Sequence, residues 1–275
     1  MEFNDNRTRL VRAIVTVAAT LVSTAVMAQS SPERLKRNTA DAWKLAIGLG
    51  VSSEPRYPGS DERKTRALPM ISANYERYFI GSVRGSGVLA GLGVYLYQDD
   101  HWDVGVELGS NLEKPRKESD SSRLRGVGDV DATALGSVFA SYSNKWFAVR
   151  GNVVTDVGGK HQGTRASLGI EGKYSPADGL VLWAGPSLTW ADSKYTQALF
   201  GINAGQSTNS GLPTYTPASG MNSVRLTVGA DYRLARNWEL GARYTAEDLR
   251  GDAINSPITQ KRAQNSASVF AAYSF

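Results

Sequence analysis

The chain has 275 residues, no cysteine, 31 Lys and Arg against 26 Asp and Glu, and a formal net charge of +5. Disulfide stapling is thereby excluded, and so small and scattered a basic excess gives no reason to expect nucleic acid as a partner. With 28 Gly, 12 Tyr and 6 Trp, the composition fits strands, turns and interfacial aromatics better than a helical protein.

Residues 1–28 read as a secretory signal. Arg7, Arg9 and Arg12 precede the apolar run 13–26, and Val26-Met27-Ala28 offers small residues for cleavage, so the mature chain is expected to begin at Gln29. Removing this segment, which also carries Glu2 and Asp5, takes one charge off the total. Residues 29–42 form a polar lead-in, expected in the periplasm. No later segment approaches the length of uninterrupted apolar chain that a spanning helix needs, so no inner-membrane helix is expected.

From residue 43 to 275 the chain reads as an all-β, transmembrane antiparallel barrel of about 12 strands with both termini periplasmic. Strands are expected at 43–52, 67–76, 78–84, 87–97, 102–112, 130–143, 145–156, 164–175, 179–192, 222–234, 237–248 and 266–275. Their signature is strict alternation. Trp43, Leu45, Ile47, Leu49 and Val51 oppose Lys44, Ala46, Gly48, Gly50 and Ser52, and Val224 to Tyr232 alternate with Arg225, Thr227, Gly229, Asp231 and Arg233; a helix would show a three-to-four spacing. The third strand is the least regular, because Gly81, Gly85 and Gly87 can mark a bulge or bend as well as a tight turn.

The connections alternate in length as a bacterial barrel requires. Short periplasmic turns are expected at 76–77, 98–101, 143–144, 175–178 and 235–236; external connections at 53–66, 85–86, 113–129, 157–163, 193–221 and 249–265, only the second being short. The longest, 193–221, carries Tyr195, Leu199, Phe200, Leu212 and Tyr215. It is expected either to expose these as a recognition element or to fold inward as a plug. The chain ends on alternating residues through Tyr273 and Phe275, an ending that resembles the signal read by the barrel-assembly machinery.

Phasing the strands places Lys44, Glu76, Glu107, Asp131, Arg150, Arg165, Glu171 and Lys173 toward the lumen, with Arg225, Asp231, Arg233, Glu239, Arg243 and Glu247. Both signs are interspersed. Twelve strands enclose a bore between the filled interior of eight-stranded barrels and the channel of porins, so these side chains are expected to pair across the lumen and narrow it.

Several loop segments, in this order and spacing, resemble those of the MipA/OmpV family of outer-membrane proteins: Tyr57-Pro58-Gly59-Ser60, Gly128-Asp129-Val130-Asp131, and Asp156 through Gly163. Phe200-Gly201-Ile202, Gln206-Ser207, Ser210-Gly211-Leu212, Tyr215 and Gly220 follow, then Leu249 through Ala253 and Ser256-Pro257-Ile258. The resemblance covers essentially the whole mature chain. It implies an outer-membrane barrel in contact with lipid and lipopolysaccharide, and for one class of members a scaffold that holds a murein lytic transglycosylase together with a murein synthase. It supplies no catalytic residues.

Enzymatic chemistry finds little support in the residues. The two histidines, His101 and His161, fall in a periplasmic turn and an external loop, and neither shows the His-x-Ser arrangement of outer-membrane phospholipases. Asp129 and Asp131 are too few for a calcium site. No cofactor or metal is expected, and the scattered loop glycines follow no strand-then-helix phosphate pattern. The expected role is scaffolding or interaction; a narrow diffusion channel for small solutes is the rival.

Overall fold

A computed structural model of the chain describes residues 43–111 and 113–275. The expected signal (1–28) and lead-in (29–42) lie outside the described residues. Twelve antiparallel strands close into one barrel: β1 (Lys44–Pro55), β2 (Arg63–Tyr75), β3 (Tyr78–Gly81), β4 (Ala90–Gln98), β5 (Trp102–Ser110), β6 (Ala134–Ser143), β7 (Phe147–Asp156), β8 (Thr164–Ala177), β9 (Leu180–Ala191), β10 (Gly220–Arg233), β11 (Trp238–Leu249) and β12 (Ala263–Ser274). Closure comes from β12 pairing β1 as well as β11, with Val51 opposite Val269 and Leu49 opposite Ala271. The ladder is thinnest at β3, whose four residues pair only Ala73, Asn74 and Tyr75 of the thirteen-residue β2.

Alternation decides what each face meets. Leu49, Leu92, Leu108, Val138, Leu168, Ile170, Leu226 and Val269 all stand exposed on the outer face, an apolar belt that suits lipid. Both described chain ends lie at one end of the barrel, since Ala46 pairs with Ser274; the five connections at that end are short. Aromatic contacts ring this terminal end, with Trp43 stacked on Tyr75 at 5.1 Å, Trp102 edge-on to Tyr142 at 5.2 Å and Trp238 edge-on to Tyr273 at 5.3 Å. Such a girdle is the side-chain composition of a membrane interface.

Inward, the bore is partly filled. Phe79, Val83, Tyr95 and Phe139 form one buried cluster, and Met70, Phe270 and Ala272 another. Glycines on the wall make room for the rings: a Cβ at Gly229 would run into the Trp183 indole, and one at Gly241 into the Phe270 ring. The lumen is therefore not the purely polar tube that alternation implied.

Two expectations for the strands need correction. Residues 85–86 do not form a short external turn: β3 ends at Gly81, β4 starts at Ala90, and the chain between them folds into the bore, where Ser82, Val83, Arg84, Ser86 and Val88 are buried. Gly81, Gly85 and Gly87 take φ values of +118°, +97° and +79°, which an ordinary strand residue would not tolerate. Likewise β6 starts at Ala134, so Asp131 lies in the preceding loop, and Glu76 sits exposed in the β2–β3 turn with φ +48°. Neither carboxylate faces the lumen.

Candidate functional site

The inward-folded segment 82–89 divides the bore. Its carbonyls are tied to β6, β7 and β8: Asn152 Nδ2 donates to Gly85 O (2.9 Å), Arg165 Nη2 to Gly87 O (2.6 Å), and Ser137 Oγ to Ser86 O. At its tip Arg84 crosses to the side of the barrel diametrically opposite β3. The guanidinium lies 4.0 Å over the Trp183 ring on β9, 3.8 Å from Glu171 on β8 and 3.9 Å from Asp231 on β10. Only 8% of the Arg84 side chain is exposed. Trp183 Nε1 donates to Asp231 Oδ2 (2.9 Å), and Arg150 completes the layer at 2.8 Å from Glu171.

The sequence-derived lumen residues take distinct places around this layer. Arg225 and Glu247 stand directly opposite on β10 and β11 and pair at 2.8 Å. Arg243 lies over the Trp183 and Phe270 rings (5.7 and 5.1 Å). Asp231 joins the Arg84 and Trp183 group. Arg233 is exposed at the terminal rim, across the ladder from Glu239. Arg84 was missed by sequence reasoning, because alternation carried β3 as far as residue 84. Three glycines between 81 and 87 were the available signal.

Above the layer the loops make a second core. Tyr57, Leu124, Val127, Ile202 and Ile258 cluster with Leu212 and Tyr215; Val130, Leu199, Phe200, Leu249 and Ala253 cluster with Tyr195. Phe200, at 0% exposure, and the partly buried Tyr195, Leu212 and Tyr215 thus pack into this cap. The expectation that they stand exposed on the fifth loop is corrected: apolar loop residues next to apolar residues of neighbouring loops lose more water by packing together than by facing solvent. The loop itself winds into two short helices, α1 (Ser193–Phe200), capped by Asp192, and α2 (Ala204–Ser210), capped by Asn203.

Hydrogen bonds lock the cap. Tyr57 Oη donates to Ile258 O (3.0 Å), Ser256 Oγ to Phe200 O (2.6 Å), Tyr215 Oη to Asp252 O (2.8 Å), and Gln206 Nε2 to Val127 O (2.8 Å). Burial pushes the Tyr57 phenol up to about 12. Arg116, 1% exposed, donates from Nη1 to Leu199 O (2.8 Å), and burial lowers its pKa to about 10, which leaves it cationic at neutral pH. Most of the loop segments that carry the family resemblance contribute to this cap.

Cap and Arg84 layer enclose a chamber of about 780 Å³. Tyr57, Leu199 and Phe200 contribute to its roof and Arg84, Gly85 and Trp183 to its floor, with Arg66, Arg165, Ser167, Asn222, Thr227 and Thr245 on its walls. The histidines take no part in it: His101 stacks on Tyr142 (5.6 Å) in a terminal-end turn, and His161, with φ +57°, is exposed on the β7–β8 loop. Among the described residues no cluster of potential ligands could hold a metal. At the other end of the chain Tyr273 meets Phe275 at 5.0 Å, and Phe275 N donates to Leu45 O (3.0 Å), so the terminal aromatics are built into the β1–β12 seam.

Comparison with known proteins matches residues 47–275 to the family described as MltA-interacting protein MipA. The MltA-interacting protein of Escherichia coli (strain K12) is 24% identical over 224 residues, which cover 80% of this chain and 84% of that protein; the one from Shigella flexneri gives the same figures. Among solved structures, an outer-membrane channel from Pseudomonas putida F1 has a TM-score of 0.44 at 12% identity, covering 87% of this chain and 99% of its own. The NanC porin has 0.40 at 11%, covering 84% and 99%.

Proposed function

This chain belongs to the MltA-interacting protein MipA family, and from that premise we propose that it is a non-enzymatic outer-membrane barrel that scaffolds murein maintenance, with a lytic transglycosylase as partner. The observation that carries the choice of scaffold over channel is the Arg84 layer. A segment folded across the bore, pinned to both walls and backed by aromatic clusters, suits a closed barrel and not a conduit.

In this reading both termini are periplasmic, the short turns and the 29–42 lead-in face the partner, and the capped end faces outward. Contact with lipopolysaccharide follows at the outer rim, and Tyr273 with Phe275 serves the barrel-assembly machinery. The accessible periplasmic surface is small for a stable complex, so binding of the partner is expected to be weak or to include the lead-in. The test is a cross-linking pull-down from native envelopes with the affinity-tagged full-length protein, probed for lytic transglycosylase and murein synthase. Recovery of the transglycosylase in proportion to the bait, and its loss when 29–42 are deleted from a barrel that still assembles, is the expected result. Equal recovery with an unrelated tagged barrel would defeat the scaffold reading.

A further inference from the structure

The chamber between the cap and the Arg84 layer is a site of its own, independent of any periplasmic partner. Nine bases and four carboxylates line it. Most of the cations are matched locally. Arg56 pairs with Glu62 (3.2 Å) and Lys114 with Asp129 (2.7 Å) near the mouth; Arg66 holds Glu54 and Glu113 (both 3.0 Å), and Arg225 holds Glu247 (2.8 Å). On the floor Arg84 and Arg150 share Glu171, with Asp231 behind them, and Arg243 stacks on rings.

Two cations are different. Lys64 on β2 and Arg165 on β8 stand on opposite walls of the closed barrel and both line the chamber; among the described residues no ion pair within 4 Å holds either, although Lys64 stands across the ladder from Glu54, whose carboxylate is held by Arg66. Arg165 instead donates to the Gly87 carbonyl (2.6 Å) and lies 5.8 Å from the Tyr195 ring. Arg225 is directed inward and holds Glu247 while 41% of its side chain stays exposed. The same chamber is lined by neutral polar side chains, Ser167, Asn222, Thr227 and Thr245, while the acceptors with no donor from the protein, Asn152 Oδ1 and Asn222 Oδ1, are closed off from it. A cavity of this size is within the range of small-ligand sites. Guanidinium groups prefer carboxylate or phosphate oxygens, whereas Ser and Thr hydroxyls both donate and accept.

We propose that the chamber binds a small polyhydroxylated anion, a sugar carrying one carboxylate or phosphate group, with the anionic group held by Arg165 and Lys64 and the hydroxyls met by the Ser167, Thr227 and Thr245 side chains on the walls. Arg56 and Lys114 line the same chamber and remain partly exposed.

Isothermal titration of the full barrel in detergent tests the assignment with four probes: gluconate, glucose 6-phosphate, glucose and inorganic phosphate. At least one of the two sugar anions is expected to bind at a single site, and which of them does so identifies the anionic group. Glucose and inorganic phosphate are expected to bind about tenfold more weakly or worse, and Arg165→Gln to weaken the sugar anion by about tenfold or more, as loss of a charge-assisted hydrogen bond does. Absence of binding by both sugar anions, glucose binding equally well, inorganic phosphate binding equally well, or unchanged affinity in both Arg165→Gln and Lys64→Gln would each overturn the proposal. Heat-modifiable mobility reports whether the variants assemble; should neither assemble, the comparison of the four probes on the unmodified barrel still decides.

Discussion

Replacing Arg84 by alanine tests the closed bore most directly. The side chain contributes a guanidinium stacked at 4.0 Å on Trp183 and long ion pairs of 3.8 and 3.9 Å to Glu171 and Asp231. A desolvated cation–π contact is worth about 2 kcal/mol. Stripping the partner from a buried carboxylate costs about 3 to 5 kcal/mol, but here Glu171 keeps Arg150 at 2.8 Å and Asp231 keeps the Trp183 N–H at 2.9 Å. The two contributions overlap, so the expected loss is about 2 to 4 kcal/mol, read as a lower midpoint in urea unfolding of the vesicle-inserted barrel followed by tryptophan fluorescence. The unmodified barrel is expected to show no steady conductance in a planar bilayer. Arg84→Ala should show brief openings, because segment 82–89 loses its contacts with Trp183, Glu171 and Asp231 and keeps only its carbonyl bonds to Ser137, Asn152 and Arg165. Arg84→Lys should fall between the two, since an ammonium cannot stack and fork at once. Large, steady conductance in the unmodified protein, or an alanine variant unchanged in both stability and conductance, would refute the reasoning.

Leu226, 53% exposed on the outer face, should lose about 2 to 4 kcal/mol on substitution by Arg if it sits near the bilayer midplane. Thr227→Leu, on the inward face where its hydroxyl is 3.1 Å from that of Thr245, should cost less; the reverse order in urea midpoints would move the lipid face. In the cap, Phe200→Ala removes a fully buried ring, worth about 3 to 5 kcal/mol. The loss should appear as protease cleavage within 193–221 on intact cells while the barrel stays heat-modifiable, and an intact loop would contradict the cap. The phenol of Tyr57, raised from 10.0 to about 12 by burial, gives a folded pKa above the unfolded one. Its stabilising contribution is whole below pH 10 and is lost as pH rises toward 12, about 3 kcal/mol in all; Tyr57→Phe should flatten that decline in cap stability, and identical alkaline profiles would exclude this cause. Replacing Tyr273 and Phe275 together by polar residues should lower the amount of assembled barrel in the outer membrane, and unchanged amounts would make the ending incidental.

Period-two alternation was enough to read twelve strands, because the side-chain period of a strand is set by backbone geometry alone and one face meets lipid whatever the neighbours are. The unequal connections were legible for the same local reason, whereas the lumen charges were expected to pair across the bore and Arg225 instead meets Glu247, the residue opposite it on the next strand. What alternation cannot carry is contact across a bore. Arg84 meets Trp183, Glu171 and Asp231 only because closure brings β3 opposite β9, and the glycine run 81–87 reads equally as bend, bulge or turn until that wall exists to receive it. The cap is the same case. Tyr57, Phe200, Leu212 and Ile258 lie on three separate loops, and their apolar side chains look like an exposed recognition surface until the barrel brings the loops together, at which point burying them against one another removes more apolar area from water than leaving each in solvent.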